Sequence, residues 1–208
     1  MIGAIFLFPT ASAFSDIAPR YDEINNTLNF TSGFFIDEPL IGEERPQISK
    51  FSLDTEVFID VSDQFSLTAR TYFQYEHLSD ENTHADLREF LFRYSGEQWE
   101  LNAGIDQIFW GVVESRNLVD TINQNDFSAD FTGGAKLGQP LLSFTRYMDK
   151  GDLSFYYLPA FREPEYASSD SRPRLPFAIN QSLTSYESPD REKAVSYTHL
   201  TLPTILLV

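Results

Sequence analysis

The chain has 208 residues, room for one sizeable domain. Fifteen Lys and Arg against thirty-one Asp and Glu give a formal charge of −16, which excludes a phosphate-binding surface and so a nucleic-acid partner. No cysteine is present, which excludes disulfides, thiolate metal sites and a nucleophilic Cys.

The N-terminus, MIGAIFLFPTASAFSD, has an apolar run from Ile2 to Phe8 and then the small residues Ala11-Ser12-Ala13 that signal peptidase prefers. Residues 1–13 therefore read as the remnant of an export signal whose basic opening is missing; the alternative is a buried N-terminal strand. Residues 14–194 follow as one β unit.

Alternation of apolar and polar residues over about ten residues predicts strands with one face in an apolar environment. In FSLDTEVFIDV, Phe51, Leu53, Val57, Ile59 and Val61 oppose Ser52, Asp54, Glu56 and Asp60. FSLTARTYFQYEHL places Phe65, Leu67, Ala69, Thr71, Phe73 and Tyr75 on one face and Ser66, Thr68, Arg70, Tyr72, Gln74 and Glu76 on the other. WELNAGIDQIF sets Trp99, Leu101, Ala103, Ile105 and Phe109 against Glu100, Asn102, Gly104 and Asp106, and LSFYYLPAF sets Leu153, Phe155, Tyr157, Pro159 and Phe161 against Ser154, Tyr156 and Ala160. Weaker alternation marks Leu28 to Ile36, Leu87 to Tyr94 and Leu141 to Met148.

The connections alternate short and long. VSDQF, SGEQ and DKGD fit tight hairpin turns, whereas DEPLIGEERPQ, SDENTHAD, Val112 to Gln139 and everything after Arg162 are long. This asymmetry, on seven strands of about 9 to 11 residues, is that of an antiparallel up-and-down transmembrane β-barrel. A soluble β-sandwich is the rival. Against it stand strands longer than about six residues and aromatic residues near strand ends: Tyr72, Phe73 and Tyr75, then Trp99, then Phe109 and Trp110. No run of 18 apolar residues exists, so a helical membrane protein is excluded.

The long stretch GIDQIFWGVVESRNLVDTINQNDFSADFTGGAKLGQP is the first candidate for function, because loops of this length in compact folds are functional or disordered. It carries an apolar set of its own: Val112, Val113, Leu118, Val119 and Ile122. Gly104, Gln107, Trp110 and Gly111, followed by Asp120, Asn123 and Asp126, resemble porin-like outer-membrane families of Gram-negative bacteria. There a strand ending in Gly-x-Gln-x-x-x-Trp-Gly leads into a loop with an acidic residue and an Asn closely followed by Asp; here the Gln is shifted by one. The chain is also similar to uncharacterised proteobacterial outer-membrane proteins in the order Trp110-Gly111, Glu114-Ser115-Arg116, Leu118-Val119-Asp120, Ile122-Asn123-Gln124 and Lys136 to Pro140. The likeness runs from about residue 97 to 177 and names no substrate.

The resemblance implies a bacterial outer-membrane location, contact with membrane lipid and lipopolysaccharide, and a loop that folds inward to narrow a lumen passing small hydrophilic solutes. Charged side chains facing each other across that path then set selectivity. The lumen candidates are Arg70, Glu76 and Asp106 on the wall and Trp110, Glu114, Arg116, Asn117, Asp120, Asn123 and Asp126 on the loop. The structural alternative has Arg116 pairing with Asp120 or Asp126 to hold the loop, and Trp110 anchoring at the interface. A non-conducting barrel that binds a surface ligand or partner is the second function class, and homo-oligomerisation of the full-length form stays open.

Enzymatic chemistry lacks parts. Outside the tail there are two histidines, His77 and His84, and no GxSxG or comparable nucleophile signal. A metal on Glu76, His77, Asp80 and His84 competes with the commoner reading of solvated loop histidines, and no metal or cofactor is expected. The series Asp120, Asn123, Asn125, Asp126 and Asp130 lacks the glycine an EF-hand loop requires.

The chain ends VSYTHLTLPTILLV, with none of the hairpins or the aromatic last residue expected of a barrel. Its first ten residues back-translate to the reverse complement of a widely used transposase sequencing adapter. Residues 195–208 are thus expected to be adapter translation, residues 14–194 the N-terminal part of a barrel, and the sheet incomplete, with seven strands and open edges.

Overall fold

A computed structural model describes residues 21–36, 47–77, 80, 82–108, 122–168, 171 and 195–201. Strands β1 (Tyr21–Phe34), β2 (Gln47–Asp60), β3 (Phe65–Glu76), β4 (His84–Ser95), β5 (Trp99–Asp106), β6 (Gln139–Met148) and β7 (Gly151–Leu158) each pair antiparallel with the next. The expected seven strands are therefore present, in an all-β up-and-down sheet that does not close on itself. An eighth strand, β8 (Val195–Thr201), lies along β7 within the run expected to be adapter. Its pairing reflects the free backbone groups on the β7 edge and a β-branched, uncharged run able to meet them, whatever the origin of that run.

The first strand begins at Tyr21 rather than Leu28. Asp22, Glu23, Asn25 and Asn26 hide its alternation, but Tyr21 aligns with Asp60 and Phe34 with Gln47, so β1 is paired along all of β2. The expected turns are all present. At the β2–β3 turn, Val61 and Ser62 N–H both donate to the Phe65 carbonyl. Gly96 N–H donates to the Trp99 carbonyl (2.8 Å) at the β4–β5 turn, and Met148 aligns with Gly151 across the tight β6–β7 turn. The longer connections all leave from the opposite end of the sheet.

Cross-strand register collects the side chains into two unlike faces. Leu28, Leu53 and Phe73 stand in one row, Phe30, Phe51 and Tyr75 in another, and Phe92, Ala103, Leu142 and Tyr157 in a third. This face is apolar yet exposed: Phe30 is 74% accessible, and Phe90, Phe92, Leu101, Phe144 and Phe155 are also exposed. Neighbouring rings lie against one another, Phe90 with Phe92 edge-on at 5.1 Å and Tyr94 with Trp99 stacked at 5.3 Å. The opposite face carries Ser52, Gln74, Glu76, Asn102, Gln139, Ser143 and Ser154, all buried. Chain from the long connections covers it. Polar residues are thus inside and large apolar ones outside, the reverse of a water-soluble core. A small apolar cluster on the covered side joins Ile122 to Leu141 of β6 and Leu158 of β7. Of the loop's expected apolar set, Ile122 packs here; Val112, Val113, Leu118 and Val119 lie outside the described residues.

Candidate functional site

The site begins with a register slip. Arg70 of β3 faces Glu89 of β4 and Thr71 faces Leu87, so Arg88 is the extra residue of a β-bulge. The bulge turns Arg88 onto the covered face, where it is 4% exposed. Its Nη2 donates to Asp126 Oδ2 (2.6 Å), its Nε lies 3.1 Å from Asp86 Oδ2, and its Nη1 donates to the Lys136 carbonyl. The guanidinium carbon sits 4.5 Å over the Tyr72 ring, a cation–π contact. Tyr72 therefore belongs to the covered face and not to an aromatic girdle. Gly138 brings the loop's return close to this point, since a Cβ there would run into the Arg88 carbonyl.

Residues 122–137 form a folded tab rather than an open loop. Asn125 bridges Lys136 antiparallel, and Asp126 bridges Glu165 in parallel, with Phe127 N–H donating to the Glu165 carbonyl (2.8 Å) and Glu165 N–H to the Asn125 carbonyl (3.1 Å). Phe127 stacks on Tyr166 with centroids 5.3 Å apart. Residues 161–168 are thereby strapped beside the tab. Asp126 is fully buried, and its Oδ1 accepts from Ser128 N–H (3.0 Å), Ser128 Oγ (2.6 Å) and Ala129 N–H (2.9 Å). Burial on its own pushes the Asp126 carboxyl up. The His84 side chain, these donors and the Arg88 charge outweigh it and hold the group well below the ordinary carboxylate range.

Other anchors tie the tab to the sheet. Asn123 Oδ1 accepts from Ile108 N–H (2.8 Å), and its Nδ2 donates to the carbonyls of Asp106 (3.2 Å) and Leu137 (3.0 Å). Lys50 Nζ donates to the Ala129 carbonyl (2.7 Å), and Gln74 Nε2 to those of Asn82 (2.9 Å) and Ser128 (3.3 Å). Arg162 joins the second segment to the same network through Asp86 and through Glu165 (3.2 Å).

The expected site residues divide into three groups. Asn123 and Asp126 are brought together, as anchors of the tab. Arg70, Glu76 and Asp106 do lie on the covered face. Arg70 makes a two-pronged pair with Asp54 (2.9 Å for each bond), and Glu76 accepts from Asn82 (2.9 Å). Asp106 accepts from Gln107 N–H (2.8 Å). Trp110, Glu114, Arg116, Asn117 and Asp120 lie outside the described residues. Asp126, offered as a partner for Arg116, is engaged by Arg88; Arg116 itself lies outside the described residues. Asp130, grouped with the acidic series, accepts from Thr132 N–H (2.9 Å), Thr132 Oγ1 (2.7 Å) and Gly134 N–H (3.1 Å), so it shapes a turn. His77 is exposed at the end of β3, whereas His84 is drawn under the tab beside Asp126.

Sequence reasoning missed Arg88, Asp86, Arg162 and Glu165. Arg88 alone left a mark: the apolar residues Leu87 and Phe90 are three apart where alternation demands two, which is the bulge written in the sequence.

Two cavities flank the tab. One of about 200 Å³ is lined by Asp54, Arg70, Tyr72, Arg88, Gln107 and Lys136. The other, about 210 Å³, is lined by Lys50, Glu76, Asn82, Phe127, Asp130 and Phe131 among others. Both place opposite charges around a small polar space. No protein-family model and no curated protein sequence matches the chain.

Proposed function

We propose that the chain is part of a porin-like outer-membrane β-barrel that passes small hydrophilic solutes, with the tab 122–137 as part of its constriction. One observation carries this reading: large apolar side chains are exposed along one face of an up-and-down sheet while the other face is polar and, beyond β1, largely covered near the tab. In water that arrangement exposes the wrong residues; in a bilayer it sets apolar side chains against lipid and polar ones around a lumen. Short turns at one end and long connections at the other agree with it. Among the described residues both outer strands of the sheet lack a second neighbour, and in lipid such edges have to be paired for a barrel to form.

The small polar cavities on either side of the tab fit passage of hydrophilic solutes. Single-channel recording of the closed barrel in a planar bilayer tests the reading, with stable conductance steps as the expected result. The dense network under the tab favours a second reading, a non-conducting barrel whose loops bind a partner, and the absence of steps would select it.

A further inference from the structure

His84 is the first residue of β4, and its Nδ1 lies 3.2 Å from the Asn82 carbonyl. A carbonyl oxygen only accepts, so this contact is a hydrogen bond when Nδ1 carries the proton. In the neutral ring the lone pair then sits on Nε2. That nitrogen is buried, has no hydrogen-bond partner, and lies 3.6 Å from Asp126 Oδ2. With the ring neutral, two acceptors face each other inside the protein; a proton on Nε2 makes the contact an ion pair with Asp126, and in the neutral form a cation between them relieves the same clash. The parallel bridge between Asp126 and Glu165 delivers a third donor: one ligand atom from each of His84, Asp126 and Glu165 lies within 4.8 Å of the others.

We propose that His84, Asp126 and Glu165 form a binding site for a divalent transition-metal ion of the zinc class. One imidazole and two carboxylates suit zinc, manganese or ferrous iron better than magnesium or calcium, which take oxygen ligands. The Nδ1 contact to a backbone carbonyl is the outer-shell bond that orients metal-binding histidines. Three protein ligands leave a position for water or a solute donor. Asp86, Asp126 and Glu165 are offset by Arg88 and Arg162, so with neutral His84 one negative charge remains to attract the ion. The two arginines share these carboxylates and keep the affinity moderate. The bound ion ties together three separate stretches: β4, the tab and the segment at Glu165. The inference is independent of solute conduction.

The test is titration of the purified chain, refolded in detergent, with zinc in competition with a chromophoric chelator, and with magnesium as the control ion. One zinc per chain is expected, with affinity on the order of micromolar and no comparable magnesium binding. His84→Ala and Glu165→Gln should each weaken zinc by about tenfold or more, while His77→Ala and His199→Ala leave it unchanged. Glu165 is only partly buried, so its variant carries the test if His84→Ala does not fold. Absence of zinc binding, binding indifferent to both site variants, or binding lost with His77 or His199 would overturn the proposal. None of these results bears on conductance.

Discussion

Arg88 shows how a single residue governs the covered face. Its guanidinium is the charge partner of two carboxylates, those of Asp86 and Asp126, neither of which has water to turn to. Arg88→Met should therefore destabilise the fold by about 3 kcal/mol, because Asp86 is left with Arg162 alone and buried Asp126 loses its arginine counter-charge. Denaturant unfolding of the refolded protein measures it. Arg70→Met supplies the contrast. That side chain is about one-third exposed, and its pairing with Asp54 should be worth about 1 kcal/mol or less. Gly104 is the other sensitive position. Its φ of +142° and the Phe90 carbonyl where a Cβ would stand make Gly104→Ala destabilising by about 1–3 kcal/mol. At Gly33 a Cβ would meet only Ile48 Cγ2 at 3.7 Å, so Gly33→Ala should be nearly silent in the same measurement.

At the scale of elements, strands and tab differ in how far the sequence reveals them. Strand faces follow from nearest neighbours along the chain, and the alternation in FSLTARTYFQYE is the alternation observed. Even the bulge is visible as a phase slip between Leu87 and Phe90. The tab is different, because its anchors are far apart in sequence: Arg88 and Asp126 are separated by 38 residues, Lys50 and Ala129 by 79. No local pattern encodes such pairings, so Asp126 reads from sequence as a lumen acid or a partner of nearby Arg116 and not as the buried counter-charge of Arg88. The turn after Asp130 offers a test within the tab. Burial pushes the Asp130 carboxyl up, but bonds from Thr132 and Gly134 and the charge of Lys50 more than offset this and hold it below its ordinary value. A depressed carboxyl contributes its stabilisation above the unfolded value of about 3.9 and loses it as pH falls through the folded one. Protection of the Thr132 and Gly134 amides, taken as the exchange rate relative to an unstructured amide at the same pH, should thus fall selectively on acidification below about pH 4.

For the whole molecule, the two faces make opposite predictions about substitution. Under the barrel reading the apolar face meets lipid. Phe92→Arg and Phe144→Arg should then each cost about 2–4 kcal/mol in folding into bilayers. On a water-facing surface, the same changes would be neutral within about 0.5 kcal/mol. The formal charge of −16 predicts cation preference where the lumen shares the sign of the whole, read as the reversal potential in a salt gradient.

The meander has a consequence for the order of assembly. Each strand from β1 to β7 pairs with its neighbour in the chain, so the sheet can grow hairpin by hairpin with little loop-closure entropy at each step. The contacts of Ala129 with Lys50 and of Asp126 with Arg88 close much longer loops. The sheet is therefore expected to be complete while its polar side is still open. Covering that side is then the last event of folding, and the first to be undone when the protein is destabilised.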